Sequence, residues 1–362
     1  MRTLELHLYT LGFALLAACG SATGERSGGP AGTGGGAATG GGAGAPAGGA
    51  AGSGATDGGI IVDDDSGPNG SCVPDHSVLT PAGPEAVLAA AYASLYTVYH
   101  LGAVPGMPPG HLGGCTIAAN DPNTLLVVGD SESETAGLWA IPVARDACRH
   151  IIGWNGVAKK LADAPFMDAN LPYTDQDVLL YSMWPSNKLG QLLPGATSPS
   201  LETDLSALGV TDSPGGLAFV PSYLPAAGHL RAVSWPLGRF FHLEYSVSNP
   251  PLLDITGASQ AAKVVEGGGF AYVPPGSPGF DQPSLIMAEW QGRAVVTYEV
   301  DDAGDPIAGS RKPFFSSFPQ PWGAYFEPET GDYLFLTWVS SPDRVYIVQG
   351  FEKPPPPPPP PK

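Results

Sequence analysis

Positive charge is scarce in this chain. With 16 Lys and Arg against 34 Asp and Glu the net charge is −18, and a surface of that sign excludes nucleic acid as a partner and electrostatic adhesion to anionic lipid. Cysteine is rare as well, with 4 in 362 residues. No apolar run reaches the roughly 18 residues a membrane-spanning helix needs, because the run that begins near Leu11 breaks at Gly20 and Ser21. The chain also has no H-E-x-x-H, G-x-S-x-G, P-loop or C-x-x-C pattern, and its 7 histidines show no metal-like pairing. Amphipathic helical stretches alternating with strands are missing, which argues against an α/β enzyme.

The ends of the chain read as an address and a stalk. Arg2, the apolar residues 11–16 and Ala17-Ala18 follow the order of a secretory signal, and Leu16-Ala17-Ala18-Cys19-Gly20 looks like the lipobox of a bacterial lipoprotein. Residues 1–18 are then the signal peptide, and Cys19 is the lipidated residue. Each acyl CH₂ buried in a bilayer contributes about 0.8 kcal/mol, so the expected partner is a membrane, reached through lipid. Gly20 after the cysteine, where an Asp would suggest inner-membrane retention, favours the outer membrane, on its periplasmic or cell-surface face. Residues 19–71 are dominated by Gly, Ala, Ser, Thr and Pro and cannot bury enough apolar area to offset the entropy of ordering. They form a tether whose 40 or so Gly-rich residues reach roughly 35 Å. Asp63-Asp64-Asp65 reads as its solubilising end. Residues 72–92 lead into the folded region, residues 93–352 fold, and residues 353–362 are a polyproline tail.

Between the tails lies a repeat. Gly215-Gly216-Leu217-Ala218-Phe219-Val220-Pro221 matches Gly268-Gly269-Phe270-Ala271-Tyr272-Val273-Pro274, and each is followed by an apolar strand ending in Trp235 or Trp290 and then by Gly238-Arg239 or Gly292-Arg293. Weaker copies bring the count to five, with Trp184, Trp235, Trp290 and Trp338 as markers. A period of about 50 residues of short strands with Gly, Pro and Asp turns predicts β-propeller blades. The expected fold is all-β, a five-bladed β-propeller, with six blades or a pair of β-sandwiches as alternatives. The last unit supplies three strands and then meets Glu352-Lys353 and polyproline, which leaves its outer edge open. The β-rich segment 93–101 is placed to fill that edge and close the ring. A helical turn is expected at 85–91, just before it.

Apart from Cys19 three cysteines remain, so at most one disulfide forms within the chain. Cys115 begins an inner strand and Cys148 follows the third, too many strand spacings away to bond. The expected bridge is Cys72 to Cys148.

A propeller binds at a mouth of its central channel, where loops enter the innermost strands. The residues at those positions are His111, Asp168, Ser213, Glu266 and Trp322. Two carboxylates and a histidine about one axis suit a divalent cation, or an acid–base pair for glycoside or lactone hydrolysis with Asp168 and Glu266 as catalytic candidates. The four marker tryptophans, one per repeat at the same strand position, read as blade packing rather than as a sugar-stacking set. Trp322 stands outside that register, near the mouth.

His111-Leu112-Gly113-Gly114, Asp121-Pro122-Asn123-Thr124-Leu125-Leu126, Asn187-Lys188-Leu189-Gly190-Gln191, Ser213-Pro214-Gly215-Gly216-Leu217 and Thr330-Gly331-Asp332-Tyr333-Leu334-Phe335 resemble uncharacterised propeller-like lipoproteins of myxobacterial type. The resemblance covers about residues 93–351 and carries no catalytic residues to transfer. It implies an acidic residue and a further glycine pair where this chain has Asp168-Ala169-Asn170, and an acidic residue in place of Trp322, so that a polar mouth has partly decayed here. The expected function is an envelope-anchored, monomeric binding or scaffold module for a carbohydrate, an envelope component or a partner protein. The alternative is a metal-assisted hydrolase of lactonase or glycosidase type.

Overall fold

The strands are short because each spans a single blade, and most are apolar on both faces because each blade is covered by its neighbours. In Asp121–Gly129, Leu125 and Val127 pack on one side with Cys115, Ile117 and Ile141, while Leu126 and Val128 pack on the other with Met167, Leu179 and Tyr181. Alternate side chains leave a strand on opposite faces, so a run such as Leu125-Leu126-Val127-Val128 serves two cores at once.

The computed structural model describes residues 72–339 and 343–356. The first blade contains Cys115–Ala118, Asp121–Gly129 and Gly137–Arg145, whose outer edge is shared by Ile151–Trp154 and Lys159–Asp163. The second contains Leu179–Met183, Lys188–Leu192 and Leu201–Asp204. Its innermost segment is reduced to the bridges Met167 to Met183 and Tyr173 to Leu179, and Pro172 between them has no N–H to offer a ladder. The third blade runs Pro214–Phe219, Leu230–Ser234, Arg239–Asn249, Leu252–Lys263, and the fourth Phe270–Tyr272, Ser284–Glu289, Ala294–Glu299, Lys312–Pro313. Pro321–Phe326, Tyr333–Thr337 and Val345–Gln349 begin the fifth. Helix among the described residues is confined to the single turns Ser206–Leu208 and Ala308–Ser310.

Five hydrophobic cores show that the blades form a ring. Leu126 and Leu179 join the first blade to the second, Leu180 and Leu217 the second to the third, and Phe240 and Phe270 the third to the fourth. Ile286 and Phe335 join the fourth to the fifth, and Ile347 with Leu125 returns the fifth to the first. The all-β, five-bladed propeller expected from the repeats is the fold observed.

Closure comes from the start of the folded region. Thr97–Gly102 pairs antiparallel with Val345–Gln349, placing His100 opposite Tyr346, Tyr99 opposite Ile347 and Val98 opposite Val348, and Thr80–Pro81 covers its outer edge. Across the same seam Arg145 of the first blade meets Glu327 of the fifth at 2.9 Å, with side chains only 2% and 0% exposed. His150 reaches Asp332 at 2.8 Å. Cys72 and Cys148 are bonded, with Cα atoms 5.4 Å apart and a separation of 76 in sequence, so the segment before the closing strand is stapled to the first blade. Loop closure of that length contributes about 4.5 kcal/mol by the chain-entropy argument. Cys115 is a free, buried thiol, and burial pushes its pKa up.

The helical turn expected at 85–91 is not there. Val87–Leu88 instead pairs with Phe315–Ser317, and the chain turns a few residues later, where Ala93 N–H donates to Ala89 O and Tyr96 N–H to Tyr92 O. Aromatic packing sets that position, because Tyr92 and Tyr96 both lie against Phe280 and Phe314. The signal peptide, Cys19, the tether with its Asp63-Asp64-Asp65 end, and residues 357–362 of the polyproline tail lie outside the described residues. Among the described residues no helix is long and apolar enough to cross a membrane.

Candidate functional site: a tryptophan-lined mouth

The repeated glycines mark where the blades meet. Innermost strands converge so closely that Gly114 N–H donates to Asp168 O, and Gly269 N–H to Trp322 O. A Cβ on Gly114 would lie 2.7 Å from Ala169 O, which no side chain tolerates. The second blade departs from glycine and uses the difference. Asn170, 5% exposed, donates from Nδ2 to Phe270 O (3.2 Å) and Ala324 O (2.9 Å). Its Oδ1 accepts from Leu217 N–H (3.2 Å) and Phe270 N–H (3.0 Å). One amide therefore uses its full hydrogen-bonding capacity to tie the second blade to the third, fourth and fifth.

Near this knot is a cavity of about 250 Å³, lined by Trp184, Trp235, Trp290, Trp338 and Trp322 together with His111, Ser131, Glu132 and Ser133. The indoles form a pinwheel. Trp184 meets Trp235 edge to face at 5.2 Å between centroids, Trp235 meets Trp290 at 6.1 Å, and Trp290 meets Trp338 at 5.5 Å, with interplanar angles of 77° to 85°. Trp322 joins Trp235 at 5.9 Å, and His111 stacks flat on Trp338 at 3.9 Å. The rings are held by their N–H groups: Trp235 Nε1 donates to Glu266 Oε1 (2.6 Å), Trp290 Nε1 to Trp338 O (3.0 Å) and Trp322 Nε1 to Asp168 Oδ1.

These tryptophans are not blade packing, contrary to the sequence-based expectation. Each follows the last residue of its second strand, so it leaves the sheet at the mouth. The backbone confirms the register: Trp184, Trp235 and Trp338 donate their N–H to Phe166 O, Ser213 O and Gln320 O, and Ser131 makes the same bond to His111 O in the first blade. The first blade thus fills the tryptophan position with Ser131 and sets Glu132 beside it. His111, Phe166 and Gln320 have positive φ, as does Asp212 next to Ser213. Left-handed backbone is costly for these residue types, and here it recurs where the chain turns into the inner strand of the first, second, third and fifth blades.

Beside the pinwheel lies a carboxyl pair. Asp168 is fully buried, and among the described residues its Oδ2 has no donor. Burial, first, and the neighbouring Glu132 carboxyl, second, hold Asp168 well above the ordinary carboxylate range. Burial pushes Glu132 up to about 8. Two acids in contact cannot both ionise readily, so near neutral pH the pair retains a proton.

The five positions expected at the mouth divide. His111 and Trp322 line the cavity, and Asp168 is hydrogen-bonded to Trp322. Ser213 is not on the wall: its hydroxyl donates to Met183 O and accepts from Asn187 N–H, both bonds within the second and third blades. Glu266 is not on the wall either. It accepts from Trp235 Nε1 and from the amides of Gln291 and Gly292, a set that fixes the indole and the following turn. The carboxyl facing Asp168 is therefore that of Glu132, and the pairing of Asp168 with Glu266 is corrected. Among the described residues no three His, Cys, Asp or Glu side chains cluster as ligands for a metal ion. Glu132, Ser131 and Asn170 were missed. Comparing the units position by position exposes the first two, because Asp130-Ser131-Glu132 stands where the other copies have Trp.

No protein-family model matches the chain, and no curated protein matches it. Solved structures similar to it include a Trichoderma reesei carbohydrate-active enzyme of family AA12, at 10% identity over 75% of this chain and 98% of that one, TM-score 0.44. The PQQ-bound form of aldose sugar dehydrogenase from Streptomyces coelicolor is similar at 12% identity over 75% and 96%, TM-score 0.38. A luciferin-regenerating enzyme is similar at 11% over 76% and 96%, TM-score 0.39.

Proposed function

We propose that this chain is a lipid-anchored binding module of the bacterial envelope that holds a small ligand in the tryptophan-lined mouth of its propeller. The observation that carries the reading is the pinwheel itself: four part-exposed indoles, backed by the buried Trp322, line one concave cavity and form an apolar, pre-organised site with a few polar groups at its edge, the usual make-up of a ligand pocket. Their N–H bonds to Glu266, Asp168 and the Trp338 carbonyl hold the rings before any ligand arrives, which lowers the ordering cost of binding. A metal-assisted hydrolase using Asp168 and Glu266 has less support, since the two carboxyls belong to separate hydrogen-bond sets and Asp168 is wholly covered.

The full chain, screened by thermal shift against glycans, organic cations, organic acids and divalent metals, is expected to gain melting temperature with a ligand of the mouth, with a parallel change in tryptophan emission. Trp290→Ala is expected to remove both signals. A stabilising compound whose effect survives Trp290→Ala unchanged places the site elsewhere and ends this reading. Anchoring rests on the lipobox-like run and the tether composition. Cys19→Ser is expected to abolish incorporation of labelled palmitate and to release the protein from the membrane fraction; a labelled, membrane-bound Cys19→Ser protein would overturn the anchor.

A further inference from the structure

Resting on that reading, we infer that the ligand class is a small organic cation of the quaternary or methylated ammonium type, caged by the indoles with the Glu132 side of the carboxyl pair as its counter-charge. Three observations lead there. First, neighbouring centroids in the pinwheel are 5.2 to 6.1 Å apart, so a group seated against one ring is also near the roughly 6 Å range within which the next attracts a cation. Second, the acids come without a matching cation. Glu132 lines the wall, the adjoining Asp168 has an oxygen that accepts from no donor among the described residues, and none of the described Lys or Arg side chains lines the cavity. A positive charge placed beside the pair favours its ionised form, so a bound cation draws off a proton that the pair holds near neutral pH, and the chain's net charge of −18 draws cations toward it from a distance.

Third, the wall is a poor partner for a sugar. A polyol needs donors and acceptors for every hydroxyl it buries, and each one left unpaired opposes binding. Here the N–H groups of Trp235, Trp290 and Trp322 already bond protein oxygens, and Trp338 Nε1, though unpaired among the described residues, is buried. Ser131 and Ser133 direct their hydroxyls to Met167 O and Asp130 O. A methylated ammonium asks for none of these bonds. It needs π faces and a negative charge, which the indoles and the ionised Glu132 supply.

The test compares choline with its uncharged isostere 3,3-dimethyl-1-butanol, and both with glucose, by tryptophan quenching and calorimetry on the full chain. Choline is expected to bind at least about tenfold more tightly than the isostere, the factor that ~1.4 kcal/mol of cation–π and carboxylate attraction provides. Glu132→Gln is expected to cost choline about tenfold and to leave the isostere unchanged, while Trp290→Leu weakens both. Because Gln keeps the size of Glu, the first variant tests charge without opening a cavity, and an unchanged melting curve for it confirms that loss of binding is not loss of fold. Equal binding of choline and isostere, or binding of glucose alone, overturns the cation assignment and leaves the mouth as a binding site. If no compound in these classes or in the wider screen registers at the tryptophans, the assignment and the binding reading fall together.

Discussion

Replacing Tyr99 by proline is expected to leave the ring unable to close, with the variant recovered largely insoluble or melting near ambient temperature. Tyr99 sits in the middle of the closing strand opposite Ile347, and its ring, 7% exposed, belongs to the core that joins the fifth blade to the first. Losing a buried aromatic costs about 3 to 5 kcal/mol, and each ladder hydrogen bond lost to proline adds about 1. Together these approach the 5 to 15 kcal/mol that hold a typical domain. The damage also spreads, because an undocked strand exposes the edge of Val345–Gln349 to other chains. Thr97→Ala, at an exposed position in the same strand, is expected to change stability by no more than about 0.5 kcal/mol. Urea unfolding followed by far-ultraviolet circular dichroism separates the two. A Tyr99→Pro protein within about 1 kcal/mol of the parent would mean that the strand is not what closes the ring.

That strand was legible because an architecture of repeats can be counted: a unit with three strands and no fourth, together with a lone β-rich segment before the first unit, leaves one economical solution. The cores were legible for a related reason, since runs such as Leu125-Leu126-Val127-Val128 make sense only when both faces are covered. The mouth was harder to read. A residue's periodic recurrence shows that it occupies equivalent places, but not whether those places face a neighbouring blade or the channel opening. Trp184, Trp235, Trp290 and Trp338 recur as regularly as core residues, and only their position one residue past the strand end sends them to the mouth. The place of Glu266 before an inner strand suggests a functional acid, yet hydrogen bonds from three donors make it a support for Trp235 and the turn after Trp290. Glu132 was invisible for the opposite reason: it lies beyond a second strand rather than ahead of a first. Its meaning comes from Asp168, 36 residues away in sequence and brought into contact by the packing of the first blade on the second.

Asn170 is the second position where one substitution acts well beyond its own blade, on four of the five. Alanine there removes the Nδ2 bonds to Phe270 O and Ala324 O and the Oδ1 bonds from Leu217 and Phe270 N–H, leaving four backbone groups of three blades unpaired. At 1 to 3 kcal/mol for each buried group, partly offset where water enters the space, the loss is about 4 kcal/mol, or on the order of 10 °C in melting temperature for a domain of this size. Asparagine is the side chain that fits here, because glycine would remove all four bonds and a carboxylate would offer no donor to the two carbonyls. Asn170→Asp tests that chemistry through pH. Burial raises the folded-state pKa of the new acid above its unfolded value near 3.9, so the folded form binds the extra proton and stability falls as pH rises between the two values. Relative to the parent, Asn170→Asp is therefore expected to be destabilised least at pH 4 and most at pH 8, while the deficit of Asn170→Ala stays constant over that range. Denaturant midpoints at the two pH values measure both, and an Asn170→Asp deficit independent of pH would show that position 170 is open to water rather than sealed where the blades meet.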